Sequence, residues 1–183
     1  MIQEAAAFAA KAHEGMTRKG NSIPYIYHPM EVALIVAQLT DDEEVIAAAY
    51  LHDVLEDTPT KAEDIERAFG SRVRALVEAE TEDKSRGWRE RKQATICHLK
   101  TADREMKILA LGDKLSNMRS TARDYLVIGD AVWDRFHEKH KEGHRWYLEG
   151  ILDGLRDLQE TMAYQELQSL YRLVYAGASQ RTE

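Results

Sequence analysis

The sequence predicts an all-α fold, a compact bundle of several helices with no sheet. Only three prolines occur in the 183 residues, and all of them lie in the first third of the chain. The long remainder is rich in Ala, Leu, Glu, Lys and Arg at helical spacing. No segment alternates polar and apolar residues with β-branched enrichment, as a strand would. The length fits a single domain over residues 1–183 with a substantial core.

The apolar periodicity divides the chain into eight helical segments. They are 2–14, 29–40, 42–54, 61–69, 71–82, 88–100, 103–123 and 143–175, the last interrupted at 161–163. Between them, 17–28 and 124–136 are predicted to be ordered loops. The chemically distinctive residues fall within about 4–123, so we expect the helices in 143–175 to pack on that core.

Capping signals support several of these boundaries. Pro29 suits a first helical position, where its missing N–H costs nothing. Thr60 and Glu63 have the spacing of a capping box. Gly70 fits the end of one helix, and Ser71 opens the next. These connections are short, which indicates neighbouring helices.

Composition excludes several classes of protein. The formal charge of −7 disfavours a long duplex nucleic-acid surface, and no uncharged apolar run is long enough to span a bilayer. Glu4 and Lys11 make the alanine-rich N-terminus unlike a signal peptide. Cys97, the one cysteine, cannot form an internal disulfide, and we interpret it as an inert packing thiol. We therefore expect a cytoplasmic protein with no membrane or nucleic-acid partner.

The segment 47–58, AAAYLHDVLEDT, has two chemically different faces if it is helical. At about 100° per residue, His52, Asp53, Glu56 and Asp57 fall within a wedge of roughly 140°. Apolar residues occupy the opposite side. This pattern fits either a set of ligands or an amphipathic helix with a solvated acidic edge.

Asp113 interrupts the apolar periodicity of the segment 106–118. A carboxylate drawn toward a core costs several kcal/mol unless it is paired, hydrogen-bonded or bound to a metal, so Asp113 needs a partner. Asn117 lies one turn later on the same face. Gly112 costs about 1 kcal/mol relative to Ala in a helix, which indicates close approach of another backbone or a tolerated weakness.

A third element is PYIYHP at 24–29, in which His28 is either a packed histidine or a ligand. With His52, Asp53 and Asp113, His28 completes a set of two imidazoles and two carboxylates. Such a mixed set suits Mn²⁺, Fe²⁺ or Zn²⁺ better than Mg²⁺ or Ca²⁺, which prefer oxygen ligands.

In this order these residues resemble the H…HD…D metal motif of the HD-domain phosphohydrolases. The surrounding sequence resembles the hydrolase domain of RelA/SpoT enzymes, and most closely the small stand-alone alarmone hydrolases, which include the metazoan relatives of SpoT. The resemblance covers about residues 4–123. It is carried by TRKG at 17–20, PYIYHP at 24–29, LHDVLEDT at 51–58, FGSRVRALVEAETEDK at 69–84 and LGDKLSNMRS at 111–120.

The resemblance implies a manganese-dependent hydrolase that removes pyrophosphate from the 3′ position of ppGpp or pppGpp and leaves GDP or GTP. The family's metal ligands correspond to His28, His52, Asp53 and Asp113. Its Glu-Asp pair, which serves the attacking water, corresponds to Glu56 and Asp57, and either of the two carboxylates is a candidate proton acceptor. Its nucleotide-contacting positions correspond to Arg18, Lys19, Asn117 and Ser120. The family usually has alanine at the position of Gly112.

Two further features fit substrate binding less directly. The segment 84–92, which begins at Lys84, holds five cations and one acid, so it either draws phosphates toward the metal or is a solvated helix start. Tyr147 is either an aromatic that closes the substrate pocket or a core residue.

His137, His140 and His144 have the spacing of a second metal site, but their polar surroundings favour a solvated face.

Two other functions fit the same motifs. One is hydrolysis of a different nucleotide or nucleoside phosphate, since HD sites share their metal but differ in the pocket walls. The other is a nucleotide sensor without turnover, which the presence of both Glu56 and Asp57 argues against. The sequence leaves the oligomeric state open.

Overall fold

The computed structural model describes residues 1–20 and 22–176, and these residues form ten α-helices and no strand. An isolated antiparallel bridge joins Thr17 and Pro24. The all-α prediction is confirmed. The helices are α1 (Ile2–Ala12), α2 (Tyr27–Val36), α3 (Glu43–Leu51), α4 (Val54–Asp57), α5 (Ala62–Phe69), α6 (Ser71–Glu80), α7 (Trp88–Thr101), α8 (Arg104–Ile128), α9 (Lys141–Gly154) and α10 (Met162–Tyr171). Short 3₁₀ helices span Gly129–Arg135 and Arg156–Leu158, and a π-helical turn spans Arg172–Ala176.

The chain forms two compact units. The first comprises Met1–Glu82 and Asp103–Asp113, and the second comprises Asp83–Ala102 and the chain from Lys114 onwards. Helix α8 therefore contributes residues to both units. The single domain over 1–183 stays a prediction.

Helix α3 is the centre of the first unit, where it contacts α1, α2 and α6. Val45, Ala47, Ala48, Ala49 and Leu51 of α3 are fully buried. Alanine side chains add little width to a helix, so neighbouring helices approach α3 closely on more than one side. The polar residues that follow α3 are thereby held at the interior of this unit.

An arginine on α6 joins the starts of two other helices. Asp42 caps α3, since its Oδ1 accepts a hydrogen bond of 2.9 Å from the Glu44 N–H. Arg72 donates to both oxygens of Asp42, at 2.7 and 3.2 Å, and also to Glu44. Its other ion-pair partner is Glu105 in the first turn of α8, at 2.7 Å. Arg72 hydrogen bonding holds the pKa of Asp42 below its ordinary value of 3.8.

Two predicted helix starts are wrong. Helix α2 begins at Tyr27 rather than Pro29, because a turn in which the Tyr27 N–H donates to the Pro24 carbonyl (3.2 Å) leads directly into it. The predicted Thr60–Glu63 capping box does not form. Lys61 occupies the N-cap position of α5 instead, and its N–H donates to Asp64 at 3.2 Å.

Gly70 separates α5 from α6, as predicted. Its φ of +92° lies in the left-handed region, where a residue with a Cβ is strained.

The predicted helix 42–54 divides in two, since α3 ends at Leu51 and α4 begins at Val54.

In the second unit, α7 packs against α9 at two glycines. A Cβ at Gly150 would lie 2.4 Å from Ile96 Cδ1, and one at Gly154 would lie 3.0 Å from Leu99 Cβ. Both distances are shorter than van der Waals contact. The glycines therefore allow the two helices to approach.

The loop predicted at 124–136 is wrong. Helix α8 continues to Ile128 and a 3₁₀ helix follows it, because Val132 and Trp133 are buried in the second unit. The Trp133 ring stacks on His144 at 4.9 Å and on Tyr175 at 5.7 Å. These buried aromatic contacts hold the segment in helical turns where a loop was predicted.

The break in the last predicted helix is confirmed but begins earlier. Helix α9 ends at Gly154, and α10 begins at Met162. Thr161 caps α10, since its Oγ1 accepts a hydrogen bond of 3.2 Å from the Tyr164 N–H.

The three late histidines do not share one helix. His137 and His140 precede α9 and are exposed, whereas His144 lies on α9 with its ring against Trp133 and Phe136. The solvated-face interpretation is therefore wrong for His144.

Cys97 is exposed on α7, so the packing-thiol interpretation is wrong as well. Within the described residues, no helix combines the length and the hydropathy needed to cross a bilayer.

We expect Arg72→Ala to lower the free energy of unfolding by about 1–2 kcal/mol, because it removes charge-assisted hydrogen bonds to three carboxylates. The matched control is Arg67→Ala, whose side chain is 75% exposed and has Asp64 as its one ion-pair partner among the described residues. This control should change stability by less than about 0.5 kcal/mol. Urea denaturation at pH 7 measures both values.

The pH dependence of this effect has a definite sign. The folded-state pKa of Asp42 is lowered, so its contribution is complete above 3.8 and is lost as the pH falls below that value. The difference between the parent protein and Arg72→Ala should therefore shrink between pH 5 and pH 3. An unchanged difference at pH 3 would contradict a role for Asp42.

Candidate metal centre

Three buried polar side chains meet in the first unit. His28 lies in the first turn of α2, His52 follows α3 directly, and Asp113 lies on α8. The two Nε2 atoms are 3.3 Å apart. Asp113 Oδ1 is 3.1 Å from His28 Nε2 and 3.6 Å from His52 Nε2. With all donor atoms within 4.8 Å of one another, these residues can hold one metal ion.

Asp53 adds a fourth group to this cluster. Its Oδ2 lies 3.1 Å from His52 Nε2 and 3.5 Å from His28 Nε2. His52 and Asp53 form the turn between α3 and α4, which directs two adjacent side chains to one point. The structure thus brings together all four residues that the sequence predicts as metal ligands.

A backbone contact defines the proton position on His52. Its Nδ1 lies 2.8 Å from the Ala49 carbonyl oxygen. A carbonyl only accepts hydrogen bonds, so Nδ1 carries a proton, and in the neutral ring the Nε2 lone pair faces the cluster. A carbonyl partner on the second nitrogen is also the usual arrangement for histidines that bind metals.

The donor set fits a divalent cation. When both imidazoles are neutral at Nε2, two nitrogen lone pairs and two carboxylate oxygens converge over a few ångströms in a buried space. Such an arrangement is repulsive unless a proton or a cation lies among the four groups. Two nitrogens and two oxygens suit a first-row transition metal and leave coordination positions for water and substrate.

At both histidines the nearby carboxylates raise the pKa, whereas burial lowers it. Burial lowers the pKa of His28, although Asp113 opposes that shift. At His52 burial also favours the neutral ring, but Asp53 and Asp113 outweigh it and raise the pKa above 6.5. Burial alone would raise the pKa of Asp53, yet the imidazoles of His52 and His28 lower it. The carboxylates create a potential that attracts cations.

Gly112 sets how closely α8 approaches α2, the helix that carries His28. A Cβ at Gly112 would lie 2.8 Å from Val36 Cγ2, and 3.2 Å from both Val32 Cγ1 and the Val32 carbonyl oxygen. Of the two interpretations of this glycine, the structure supports close approach of another backbone. The residue beside it, Asp113, consequently reaches His28.

The candidate proton acceptors lie on α4, beyond the turn that holds Asp53. Glu56 is half-buried, and its Oε2 accepts a hydrogen bond of 3.3 Å from the Glu82 N–H. Asp57 is exposed, and its Oδ2 lies 3.3 Å from the Tyr25 hydroxyl. The two carboxylates therefore have different surroundings although they are adjacent in sequence.

Tyr25 was missed as a site residue by sequence reasoning. Its hydroxyl donates a hydrogen bond of 2.6 Å to Asp53 Oδ2. Burial, Asp53 and Asp57 raise the pKa of Tyr25 far above its usual value of 10, so the hydroxyl remains a donor. The available signal was its position in PYIYHP, three residues before His28.

His13 at the end of α1 is a second residue of interest near this cluster. Its ring is buried and lies 4.8 Å from the Tyr25 ring. Within the described residues neither ring nitrogen has a hydrogen-bond partner. Burial lowers the pKa of His13, so the ring is neutral and packs as a flat apolar group against Tyr25.

The predicted substrate residues are divided between the units. In the first unit, the Arg18 guanidinium lies 5.6 Å from the centre of the Tyr25 ring, and Lys19 is exposed. In the second unit, Ser120 Oγ accepts a hydrogen bond of 3.4 Å from Arg123, and the Asn117 carbonyl accepts one of 3.0 Å from Thr121. Their contact with a nucleotide stays a prediction.

The basic segment and Tyr147 lie in the second unit. Lys84 is exposed, whereas Arg89 and Lys92 lie over the rings of Trp146 and Tyr147, at 4.1 and 5.0 Å from the ring centres. Cations that lie on aromatic rings are partly ordered, so the segment is more structured than a solvated helix start.

Comparisons with known proteins show which family and which enzymes this chain resembles. The family model of the HD domain matches residues 5–127. The guanosine-3′,5′-bis(diphosphate) 3′-pyrophosphohydrolase MESH1 of Xenopus tropicalis is 42% identical over 126 residues, which cover 67% of this chain and 70% of that protein. The bifunctional (p)ppGpp synthase/hydrolase SpoT of Escherichia coli K12 is 37% identical over 125 residues, which cover 65% of this chain but 18% of SpoT.

Solved structures are similar over most of the chain. A metazoan SpoT ortholog, described as hydrolysing ppGpp and acting in starvation responses, superposes with a TM-score of 0.79 and 29% identity over 93% of each chain. A Listeria monocytogenes protein superposes with a TM-score of 0.75 and 33% identity, over 81% of this chain and 99% of its own.

We expect Gly112→Ala to weaken Mn²⁺ binding by about tenfold, because the added methyl group pushes α8 away from Val36 and displaces Asp113. The double variant Gly112→Ala/Val36→Ala makes room for that methyl and should recover most of the affinity. Isothermal titration calorimetry measures the binding of Mn²⁺ to each protein.

Gly150→Ala is the matched control, since its Cβ would clash with Ile96 in the second unit. It should leave Mn²⁺ affinity unchanged even if it lowers stability. If Gly112→Ala binds Mn²⁺ like the parent protein, the close approach at Val36 does not limit the geometry of the metal centre.

Proposed function

This chain belongs to the HD-domain family, and we propose that it is a metal-dependent hydrolase that removes the 3′-pyrophosphate of ppGpp or pppGpp to give GDP or GTP. The cluster of His28, His52 and Asp113 carries the proposal, together with Asp53 Oδ2 at 3.1 Å from His52 Nε2. The named activity of the 42% identical relative supplies the substrate class.

Mn²⁺ is the proposed cofactor, because two imidazoles and two carboxylates suit it better than they suit Mg²⁺ or Ca²⁺. A bound divalent ion lowers the pKa of its water and offsets negative charge on the phosphoryl oxygens. The four side chains would hold the ion, with Asp113 and Asp53 supplying the charge and the two imidazoles fixing its position.

The carboxylates of α4 are the proposed proton acceptors. Glu56 or Asp57 takes a proton from the water that attacks the phosphorus bonded to the 3′ oxygen. The bond between that phosphorus and the 3′ oxygen breaks, the 3′ oxygen takes up a proton to become the hydroxyl of GDP or GTP, and pyrophosphate is released. The Tyr25 hydroxyl lies beside Asp57, and the Glu82 N–H binds Glu56, so each carboxylate is held in a defined orientation. No covalent intermediate is required, since catalysis consists of placement and charge stabilisation.

Arg18 and Lys19 are the proposed phosphate contacts in the first unit. Asn117, Ser120, Lys84 and Tyr147 are further proposed substrate contacts. Cations are needed because the protein carries a net charge of −7 while the substrate is highly anionic. We place the reaction in the cytoplasm, where one unpaired cysteine is compatible with the reducing conditions.

Incubation of the protein with ppGpp and Mn²⁺ should release pyrophosphate and GDP. EDTA should abolish turnover, and added Mn²⁺ should restore it. His52→Ala should lower kcat by more than about 100-fold, because losing a ligand exceeds the 10–100-fold effect typical of outer-shell partners. His140→Ala, with an 83% exposed side chain in the second unit, is the control and should retain activity.

A panel of other phosphorylated nucleotides separates the alternatives. Faster turnover of another nucleotide, judged by kcat/KM, would assign the site a different substrate. Binding of ppGpp without turnover of any nucleotide by the Mn²⁺-loaded protein would favour the sensor function and reject the hydrolase.

Glu56→Gln and Asp57→Asn should identify the proton acceptor. Replacing the acceptor by an amide should lower kcat by about 10²–10⁴-fold and leave Mn²⁺ affinity unchanged, since neither residue is a proposed ligand. The other substitution should have a smaller effect. If neither lowers kcat by tenfold, proton transfer does not depend on this pair.

A further inference from the structure

Tyr25 has three contacts that connect different parts of the first unit. Its hydroxyl donates to Asp53 Oδ2 at 2.6 Å and lies 3.3 Å from Asp57 Oδ2. The Arg18 guanidinium lies 5.6 Å from its ring centre. A proposed metal ligand, a proposed proton acceptor and a proposed phosphate contact therefore all meet one tyrosine.

The backbone holds Tyr25 firmly on both sides. Its N–H donates to the Met16 carbonyl, and its carbonyl accepts from the His28 N–H, both at 2.9 Å. The bridge between Thr17 and Pro24 closes the loop that precedes it. Because His28 is itself a proposed ligand, the position of the tyrosine is coupled to that of the metal centre.

The buried ring of His13 lies against the Tyr25 ring, 4.8 Å between centres. A buried imidazole whose nitrogens have no partner in the described residues is costly, since such groups are normally hydrogen-bonded. The flat, neutral ring of His13 packs against the Tyr25 ring and so restricts the orientation of the tyrosine.

The hydroxyl contacts the one Asp53 oxygen that faces both imidazoles. Oδ2 is the atom that lies 3.1 Å from His52 Nε2 and 3.5 Å from His28 Nε2. The hydrogen bond from Tyr25 uses one lone pair of Oδ2, and the other would be available to a bound metal ion. Without that bond the carboxylate would rotate more freely about its terminal torsion.

We propose that Tyr25 is a positioning residue of the metal centre: its hydroxyl fixes the ligand oxygen of Asp53 beside Asp57, and its ring orients Arg18 toward the substrate phosphates. This role rests on the proposed function. The proposal gives the hydroxyl and the ring of Tyr25 separate roles. The hydroxyl acts on metal binding, and the ring acts on substrate binding.

Tyr25→Phe and Tyr25→Leu separate the two parts. Tyr25→Phe removes only the hydroxyl, so it should weaken Mn²⁺ binding to the metal-free protein by about 10–100-fold, as is typical of outer-shell partners. Its KM for ppGpp at saturating Mn²⁺ should stay within about twofold of the parent. Tyr25→Leu also removes the cation–π contact, so it should raise that KM by a further factor of about 2–5.

Calorimetry of Mn²⁺ binding is the primary readout, and it needs no turnover. Tyr164→Phe is the matched control, since that hydroxyl donates to the Leu152 carbonyl in the second unit. It should leave Mn²⁺ affinity and KM unchanged. If the parent protein binds no Mn²⁺, the proposed function fails. If the parent binds Mn²⁺ and Tyr25→Phe binds it equally well, the role of Tyr25 is rejected.

A double-mutant cycle covers the case in which Tyr25→Phe alters folding. In an Asp53→Ala background, which has no acceptor for the Tyr25 hydroxyl at position 53, adding Tyr25→Phe should change Mn²⁺ affinity by less than twofold, because the two residues act through one bond. An equal loss in both backgrounds would show that the tyrosine acts generally on the fold, and it would overturn the proposal.

Discussion

The need for positive charge among four clustered side chains, three of them buried, is the constraint on which the first unit depends. The Nε2 atoms of His28 and His52 are 3.3 Å apart, and the oxygens of Asp53 and Asp113 lie 3.1 Å from the nearer of them. Proteins rarely assemble such groups without a cation, because each charge taken from water costs several kcal/mol. The surrounding helices must therefore supply enough packing energy to hold the ligands in place until an ion neutralises them.

Close packing between helices, rather than additional ion pairs at the site, holds the four side chains together. Fully buried alanines on α3 admit neighbouring helices closely, and Gly112 does the same where α8 meets α2. Arg72 joins the starts of α3 and α8, the helices that lead to His52 and to Asp113. Each ligand is thus fixed through the backbone of its helix, which deforms less than a long side chain.

Much of this arrangement could be predicted from sequence, for identifiable reasons. Asp113 was predictable because a carboxylate in an apolar stripe needs a partner, and the ordered motif supplied His28, His52 and Asp53. The turn at His52 could not be predicted from sequence. The helical period of the sequence continues through this residue, and only tertiary contacts end α3 at Leu51. Tyr25 was missed because its place in PYIYHP does not reveal the contact of its hydroxyl with Asp53, 28 residues away in the sequence.

The contact between Gly112 and Val36 also bears on how this chain could have diverged from its relatives. With 2.8 Å between a Cβ at position 112 and Val36 Cγ2, alanine is poorly accommodated while valine remains at 36. For glycine 112 to be replaced by alanine, Val36 would first have to be replaced by a smaller residue. In the opposite direction, a valine could appear at position 36 only after alanine 112 had been replaced by glycine. Selection on metal binding would thereby impose an order on two substitutions that, in sequence, look unrelated.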